Sequence, residues 1–345
     1  VIAVNDGSTD GTKEILDKIK SKYKKLKVIH KKNNGKRKAI GSGFSASKGK
    51  ILTFIDSDSL IGSKSIEEFM KTFNSDKKIG GVVANAKVLN NRNLLSKLQD
   101  VWYDGQFNIH KTCESVFGLV ICCSGCMSAY RRSALDGFIQ NWVEADVVIG
   151  DDRELTSFVT AKPWSKFDLL SAFSKTKLHA QKYDDAEDRV LTGQTLIEWK
   201  TVYVSSAVVY TDVPESFKGF FKQQIRWKKG YIRSQFFVSS FFWAKPPIMA
   251  FIFYLEFMAS LTLPLILVII LIYLPLITGE FIFALYFLAA QVLVGFIEGI
   301  DTKIRNPNNT NWRFKPLMPM LSNFIISWAI FPAVFTLRKN EWGTR

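Results

Sequence analysis

Two aspartates two positions apart, Asp56 and Asp58 in IDSDS, follow directly on the apolar stretch KILTFI. At the end of a buried strand, carboxylates with this spacing can hold a divalent cation against a diphosphate, and the metal neutralises the leaving group. A solvated turn after the strand would place the same residues there. NDGSTD sets Asp6 behind the first apolar segment, where it could accept from a uracil N–H or a ribose hydroxyl. The same motif can be a tight turn in which Thr9 or Asp10 caps the next helix. GKRKAI brings Lys36, Arg37 and Lys38 to a helix start, a natural anion site. Each motif is weak alone. A nucleotide-like turn, a basic helix start and then D-x-D, all within 58 residues, carry more weight by their order.

Further along, GDDRELTSF pairs Asp151 and Asp152 ahead of a helical pattern. A carboxylate there can be the general base that takes a proton from an acceptor hydroxyl; the pair can also simply cap the helix. QQIRW then offers Arg226 as a cation for phosphate and Trp227 as a flat face for the C–H side of a sugar. Lys228, Lys229, Arg233, Phe236 and Phe237 read as an interfacial helix with cations for anionic lipid and aromatics for the headgroup belt.

The elements that must position these groups alternate. Strands over 1–4, 27–30, 50–56 and 80–89 are separated by helices over 13–24, from Gly35 onward, and over 63–73. This pattern indicates parallel βαβ units, whose ligands bind at the carboxyl ends of the strands. VIAVND opens mid-strand, which reads as a chain beginning further upstream. Trp164 to Val190 follows no clear pattern and receives no role.

The composition is uneven: a charged front precedes a very apolar tail, and the mean hydropathy of +0.06 averages the two. Lys and Arg number 46 against 31 Asp and Glu, a net charge of +15. Nucleic acid, an acidic lipid surface or a phosphorylated small molecule would suit that surplus. The apolar tail favours the last two, and no nucleic-acid partner is expected. Three of the four cysteines (Cys122, Cys123 and Cys126, with Cys113 apart) lie within five residues, too close for an ordinary disulfide framework. No second Cys or His pair follows the C-x-x-C at zinc spacing, so reduced, packing thiols are expected.

In the tail, 246–277 carries Glu256 as its sole charge, and 281–300 is apolar apart from Gln291 and Glu298. Each reaches the length of about 20 residues needed to span a bilayer. The TGE link between them lacks Lys and Arg, whereas DTKIRNPNNTNWRFKP has four, which puts the catalytic front in the cytosol. Asn308-Asn309-Thr310 matches a glycosylation acceptor, but a cytosolic loop would not meet that machinery. The third apolar stretch, 316–337, has basic flanks and contains Pro316, Pro319 and Pro332. A broken interfacial or re-entrant segment is preferred there to a true span.

In the order DGSTD, DSD, CCSGCMSAYRR, GDDR, QQIRW and WGTR, with membrane helices behind, the chain resembles the processive family 2 glycosyltransferases, and within them most resembles the hyaluronan synthases. The resemblance implies an α/β GT-A fold, a Rossmann-like mixed sheet, followed by interfacial and transmembrane helices. The implied division is a GT-A domain over 1–214, amphipathic interfacial helices over 215–245, a channel region over 246–337 and a gating segment over 338–345. It also implies a cytosolic catalytic domain in the plasma membrane, UDP-GlcNAc and UDP-GlcA as donors, Mg²⁺ or Mn²⁺ as cofactor, and a nascent polysaccharide secreted by a single copy of the chain. Carried over by position, Asp6 meets uridine, with Lys36, Arg37 and Asp56 at the nucleotide. Asp58 meets the metal, and Asp152, before Asp151, is the base. Gln223 and Arg226 hold the diphosphate, Trp227 stacks under the acceptor, and Ser124, Gly125 and Cys126 line its entrance. Trp342, Gly343, Thr344 and Arg345 close over the nucleotide.

Overall fold

The computed structural model describes residues 1–135, 138–144, 150–161 and 198–337. Strand β1 (Ile2–Asn5) pairs in parallel with β2 (Lys27–His30), joined by helix α1 (Thr12–Lys22), as a βαβ reading requires. Beyond that pair the expectation of parallel units is only partly met. A five-stranded sheet runs in the order β3 (Ile51–Ile55), β6 (Met127–Arg131), β5 (Ile79–Val88), β7 (Lys200–Thr211), β4 (Ser59–Ile61). Only β5 and β7 are parallel in it; β6 lies antiparallel between β3 and β5, and β4 antiparallel to β7. The sheet is therefore mixed. Helix α2 (Lys36–Ala46) opens directly behind Gly35.

The sequence IGGVVANAKV of β5 is apolar or small at nearly every position because both faces are covered, and Val82, Val83 and Ala84 are fully buried. Helix α3 (Ser65–Ser75) places Ser65, Phe69 and Phe73 four residues apart on one buried face. Burying each Phe contributes about 1.5–3 kcal/mol. Helix α4 (Leu94–Gly105) starts at a capping box in which Asn93 and Ser96 satisfy each other's backbone N–H groups.

The interfacial stretch is one helix, Phe217–Phe242, capped by Ser216, whose hydroxyl accepts from the Gly219 N–H. It packs against both the Asp151–Ala161 helix and the Ile330–Phe335 helix. Behind it, Pro247–Thr278, Ile282–Arg305 and Asn311–Phe335 are each long and apolar enough to cross a membrane. The last was expected to be broken, but it is a continuous helical run that changes pitch, with 3-10 turns at Asn311–Leu317 and Ser327–Ala329 and a π turn at Ser322–Ile326. Its prolines lack the N–H that regular α-helical pitch needs, which accounts for irregularity without interruption.

Candidate active site

Asp56 and Asp58 occupy the turn between β3 and β4. The Asp56 N–H donates to the Gly125 carbonyl at 3.1 Å, fixing the turn against the SGC loop ahead of β6. From the first turn of α2, Lys36 Nζ reaches Asp56 Oδ1 at 2.5 Å. On the other side of Gly125, its N–H donates to Asp152 Oδ2 at 2.9 Å. One residue without a side chain thus joins the two carboxylate motifs. A Cβ at Gly125 would stand 2.9 Å from Asp56 Oδ2 and 3.1 Å from Lys36 Nζ. Burial works against the Lys36 ammonium, but Asp152 and Asp56 outweigh it and raise its pKa, so Lys36 stays charged. Arg226 lies in the same field. Burial lowers its pKa while Asp152, Asp56 and Asp58 pull the other way. Asp58 is exposed, and its carboxylate accepts from the Ser59 hydroxyl at 3.4 Å.

Arg37, expected beside Lys36 at the donor, is turned inward. Its Nε and Nη2 donate to Asp151 Oδ1 at 3.0 and 2.7 Å, Nη2 also to Glu154 Oε2 at 2.7 Å, and Nη1 to the Trp142 carbonyl at 3.3 Å. The guanidinium lies over the Trp142 ring, 4.6 Å from its centre. Successive residues at a helix start point about 100° apart, so Lys36 facing Asp56 sends Arg37 to the core. Asp151, the second choice of base, is 4% exposed and committed to that cation. Asp152, one position on, points to Gly125.

Glu154 completes this inner network, with Trp142 Nε1 donating to its Oε2 at 3.0 Å. Burial pushes its carboxyl up to about 7 against the pull of Arg37. Between its ordinary value near 4.5 and about 7, the folded chain holds a proton that the unfolded chain has released. Stability contributed by this group is therefore lost as pH rises through that window. Thermal unfolding of the solubilised protein between pH 4.5 and 7.5 is expected to show that fall, and Glu154→Gln to flatten it. Parallel curves for the two proteins would remove Glu154 as the cause.

The GDDR turn meets the QQIRW helix closely. Gly150 has φ +101° and abuts the backbone of Gly230, so a side chain at 150 would be strained by its backbone and crowded by the helix. Arg153 then lies over the Tyr231 ring, 4.8 Å from its centre, with Nη2 3.4 Å from Gln235 Oε1. Gln223 is buried, and its Oε1 lacks a hydrogen-bond partner among the described residues. Trp227 stacks on Trp102 of α4, ring centres 5.5 Å apart and planes 27° apart.

Asp6 lies at the approach to this cluster. Its two oxygens accept from the Asn34 and Gly35 N–H groups at 3.1 and 2.8 Å, and Lys31 Nζ stands 3.3 Å away. It thereby fixes the loop that delivers Lys36. Gly11 takes the cap position of α1 that the sequence offered to Thr9 or Asp10, and Asp10, just before it, accepts from the Thr12 hydroxyl at 2.6 Å. Ser124 and Cys126 flank Gly125. Burial pushes the Cys122 thiol up to about 11 and those of Cys123 and Cys126 up to about 12, so all three remain thiols near neutrality. Trp342, Gly343, Thr344 and Arg345 lie outside the described residues, as does Trp164 to Val190.

Residues 1–138 match the family model described as glycosyl transferase family 2. The chain carries a family 2 glycosyltransferase domain. Over 326 residues this glycosyltransferase is 27% identical to a hyaluronan synthase of Streptococcus pyogenes, covering 92% of this chain and 68% of that protein. It is 25% identical to hyaluronan synthase 3 of Homo sapiens over 350 residues, 98% of this chain and 56% of the other. Among solved structures, a mannosyltransferase from Pyrobaculum calidifontis in complex with GDP-Man and Mn²⁺ aligns with a TM-score of 0.54 at 15% identity. That alignment covers 100% of this chain and 78% of the other, and it speaks to the GT-A-like fold alone.

Sequence reasoning missed several residues in and around the candidate site. Glu154 could have been found, because D-D-R-E puts it one helical turn beyond Asp151, and two inward carboxylates call for a buried cation. Trp102 carries no motif. Neither does Asp104, which fastens the domain to the apolar tail. Arg305 donates to both its oxygens at 3.2 and 2.9 Å, and the Thr302 hydroxyl to Oδ2 at 2.7 Å.

Proposed function

We propose that this glycosyltransferase is a processive, inverting enzyme that assembles hyaluronan from UDP-GlcNAc and UDP-GlcA and passes the polymer through its own membrane helices, with the catalytic domain cytosolic in the plasma membrane. The observation that carries the reading is the likeness to hyaluronan synthases over 92% of the chain, through the catalytic motifs and into the apolar tail. The convergence of Lys36, Asp56, Asp152 and Arg226 supports it chemically. We assign the GT-A domain to 1–214, the interfacial helix to 215–245, the channel to 246–337 and the gate to 338–345, a single copy sufficing.

In this reading Asp152 takes the proton of the acceptor hydroxyl, and the Gly125 N–H keeps its carboxylate aimed. The hydroxyl oxygen then bonds the anomeric carbon as the bond from that carbon to the UDP oxygen breaks, with one inversion. No acid is needed, because UDP departs as a stabilised anion. Lys36, Arg226 and Gln223 hold the diphosphate, Asp6 and Asp56 lie on the nucleotide side, and Trp227, backed by Trp102, presents a face to the acceptor sugar at an entrance lined by Ser124, Gly125 and Cys126. Arg37 is reassigned from donor contact to support of Asp151. The residues present fit Mg²⁺ or Mn²⁺: Asp58 is exposed, offers hard oxygen donors and is engaged only weakly by Ser59. A cation held there would supply charge for the departing diphosphate.

The test is turnover in membranes holding the full-length protein, with Mg²⁺ or Mn²⁺ and each UDP-sugar alone, then both. A high-mass product that forms only with both donors and is digested by hyaluronidase is expected. Polymer from UDP-GlcNAc alone would replace this reading with a chitin-type synthase. Gly125→Ala is expected to lower turnover about a hundredfold, since displacements of about 1 Å cost that much in a positioned site. Its added Cβ would push Asp56 off Lys36. A variant with normal kcat and KM would separate Gly125 from the chemistry.

A further inference from the structure

Away from the D-x-D turn, a cavity of about 260 Å³ lies between β5, α4 and the 306–311 loop that joins the second and third apolar helices. Amides and carboxylates, among them Asp100, Asn108 and Asn311, share its wall with the apolar surface of Ala86, Val88 and the ring of Tyr210, and with Lys87. The groups are held in place. Asn311 Nδ2 donates to Asp100 Oδ2 at 2.8 Å, Asn108 Nδ2 to Asp104 Oδ1 at 2.9 Å, and the Tyr203 hydroxyl to Asn108 Oδ1 at 2.7 Å.

Asn85 belongs to the same hydrogen-bonded set. It is 6% exposed, its Nδ2 donates to the Ser205 carbonyl at 3.3 Å and to Asn108 at 3.4 Å, and its Oδ1 has no hydrogen-bond partner among the described residues. That oxygen has no accessible surface, so it lies behind the cavity wall and the groups open to a ligand are those of Asp100, Asn108, Asn311 and Tyr210. Charge narrows the choice of ligand. Arg305 neutralises Asp104, and Lys87 stands against Asp100, so the wall offers little net charge to an anion or a dication. Fixed amides and a carboxylate pair well with vicinal hydroxyls, which both donate and accept, and a Tyr ring pairs with the C–H face of a sugar.

We propose that this cavity is a second carbohydrate site, separate from the candidate active site, taking one or two neutral sugar rings whose hydroxyls meet Asp100, Asn108 and Asn311 and whose C–H face rests on Tyr210. The ligand is either a free sugar or a segment of a polysaccharide. Because Asn311 and its loop form part of the wall, an occupied cavity ties the catalytic sheet to the apolar helices. The inference stands whichever polymer the enzyme makes.

The experiment uses the full chain in lipid nanodiscs with UDP and Mn²⁺ in excess, so that the nucleotide site is blocked. N-acetylglucosamine and chitotetraose are titrated in turn and followed by saturation-transfer NMR and calorimetry. Saturable binding is expected, weakened at least tenfold by Tyr210→Ala and by Asp100→Asn and unmoved by Asp152→Asn. Tyr210 is 39% exposed, so its truncation leaves the core intact should Asp100→Asn fail to fold. Binding of the monosaccharide identifies a free sugar as the ligand, and binding of the tetraose alone identifies a polymer segment. Sugar binding that vanishes when UDP is present, or that neither wall variant weakens, would overturn the proposal. So would binding of Ca²⁺ or Mg²⁺, with no sugar bound, that both variants abolish.

Discussion

Asp152→Asn is expected to lower kcat about a thousandfold while leaving UDP affinity within about twofold, in line with the 10²–10⁴ that a positioned general base supplies. Asparagine preserves the shape, and its Oδ1 can still accept the Gly125 N–H that Asp152 accepts at 2.9 Å. What it lacks is the capacity to take a proton. Steady-state turnover in membranes, paired with UDP binding to the solubilised protein, measures both quantities. A loss smaller than tenfold would remove Asp152 as the base. A loss shared equally by turnover and UDP affinity would move it to donor binding. Asp151→Asn is the natural control, because its carboxylate is engaged by Arg37 and belongs to stability.

Arg37→Leu is expected to destabilise the protein by about 3–5 kcal/mol, since it leaves Asp151 and Glu154 buried without their cation. Arg37→Lys should recover little of this. One ammonium cannot reproduce the planar fork that reaches Asp151 through both Nε and Nη2 and Glu154 through Nη2. Chemical denaturation in detergent, monitored by near-ultraviolet dichroism, reads the change. If Arg37 touched the donor instead, both variants would raise KM at unchanged stability, and that result would refute the placement.

Much of this architecture was open to inspection in the chain itself, and the losses have identifiable causes. Asp56, Lys36 and Asp152 could be named because each stands at the end of an apolar run or the start of a helix, where chemistry and local pattern coincide. Gly125 was placed at an acceptor entrance for its small size, whereas the groups a Cβ would meet there are Asp56 and Lys36. Arg37 was misjudged because a basic run looks alike whether its members face solvent or core; only the neighbouring helix, with Asp151 and Glu154 a turn apart, decides. The insertion of β6 between β3 and β5 was equally hidden. Alternation of strand and helix reports that a sheet exists, while neighbour order depends on contacts distant in sequence. In the tail, hydropathy located the apolar segments but could not separate a broken segment from a helix of changing pitch, since the same prolines serve both.

Helix α4 carries Trp102 and Asp104 two residues apart: one is stacked on Trp227, the other clasped by Arg305 and Thr302 at the end of an apolar helix. A helix is stiff over so short a span, so α4 joins an aromatic platform at one point to a tether on the apolar helices at the next. The Trp102–Trp227 stack and the Arg305 clasp thus hang on one turn of the same helix, and a domain cut free of its apolar tail would keep the first and lose the second.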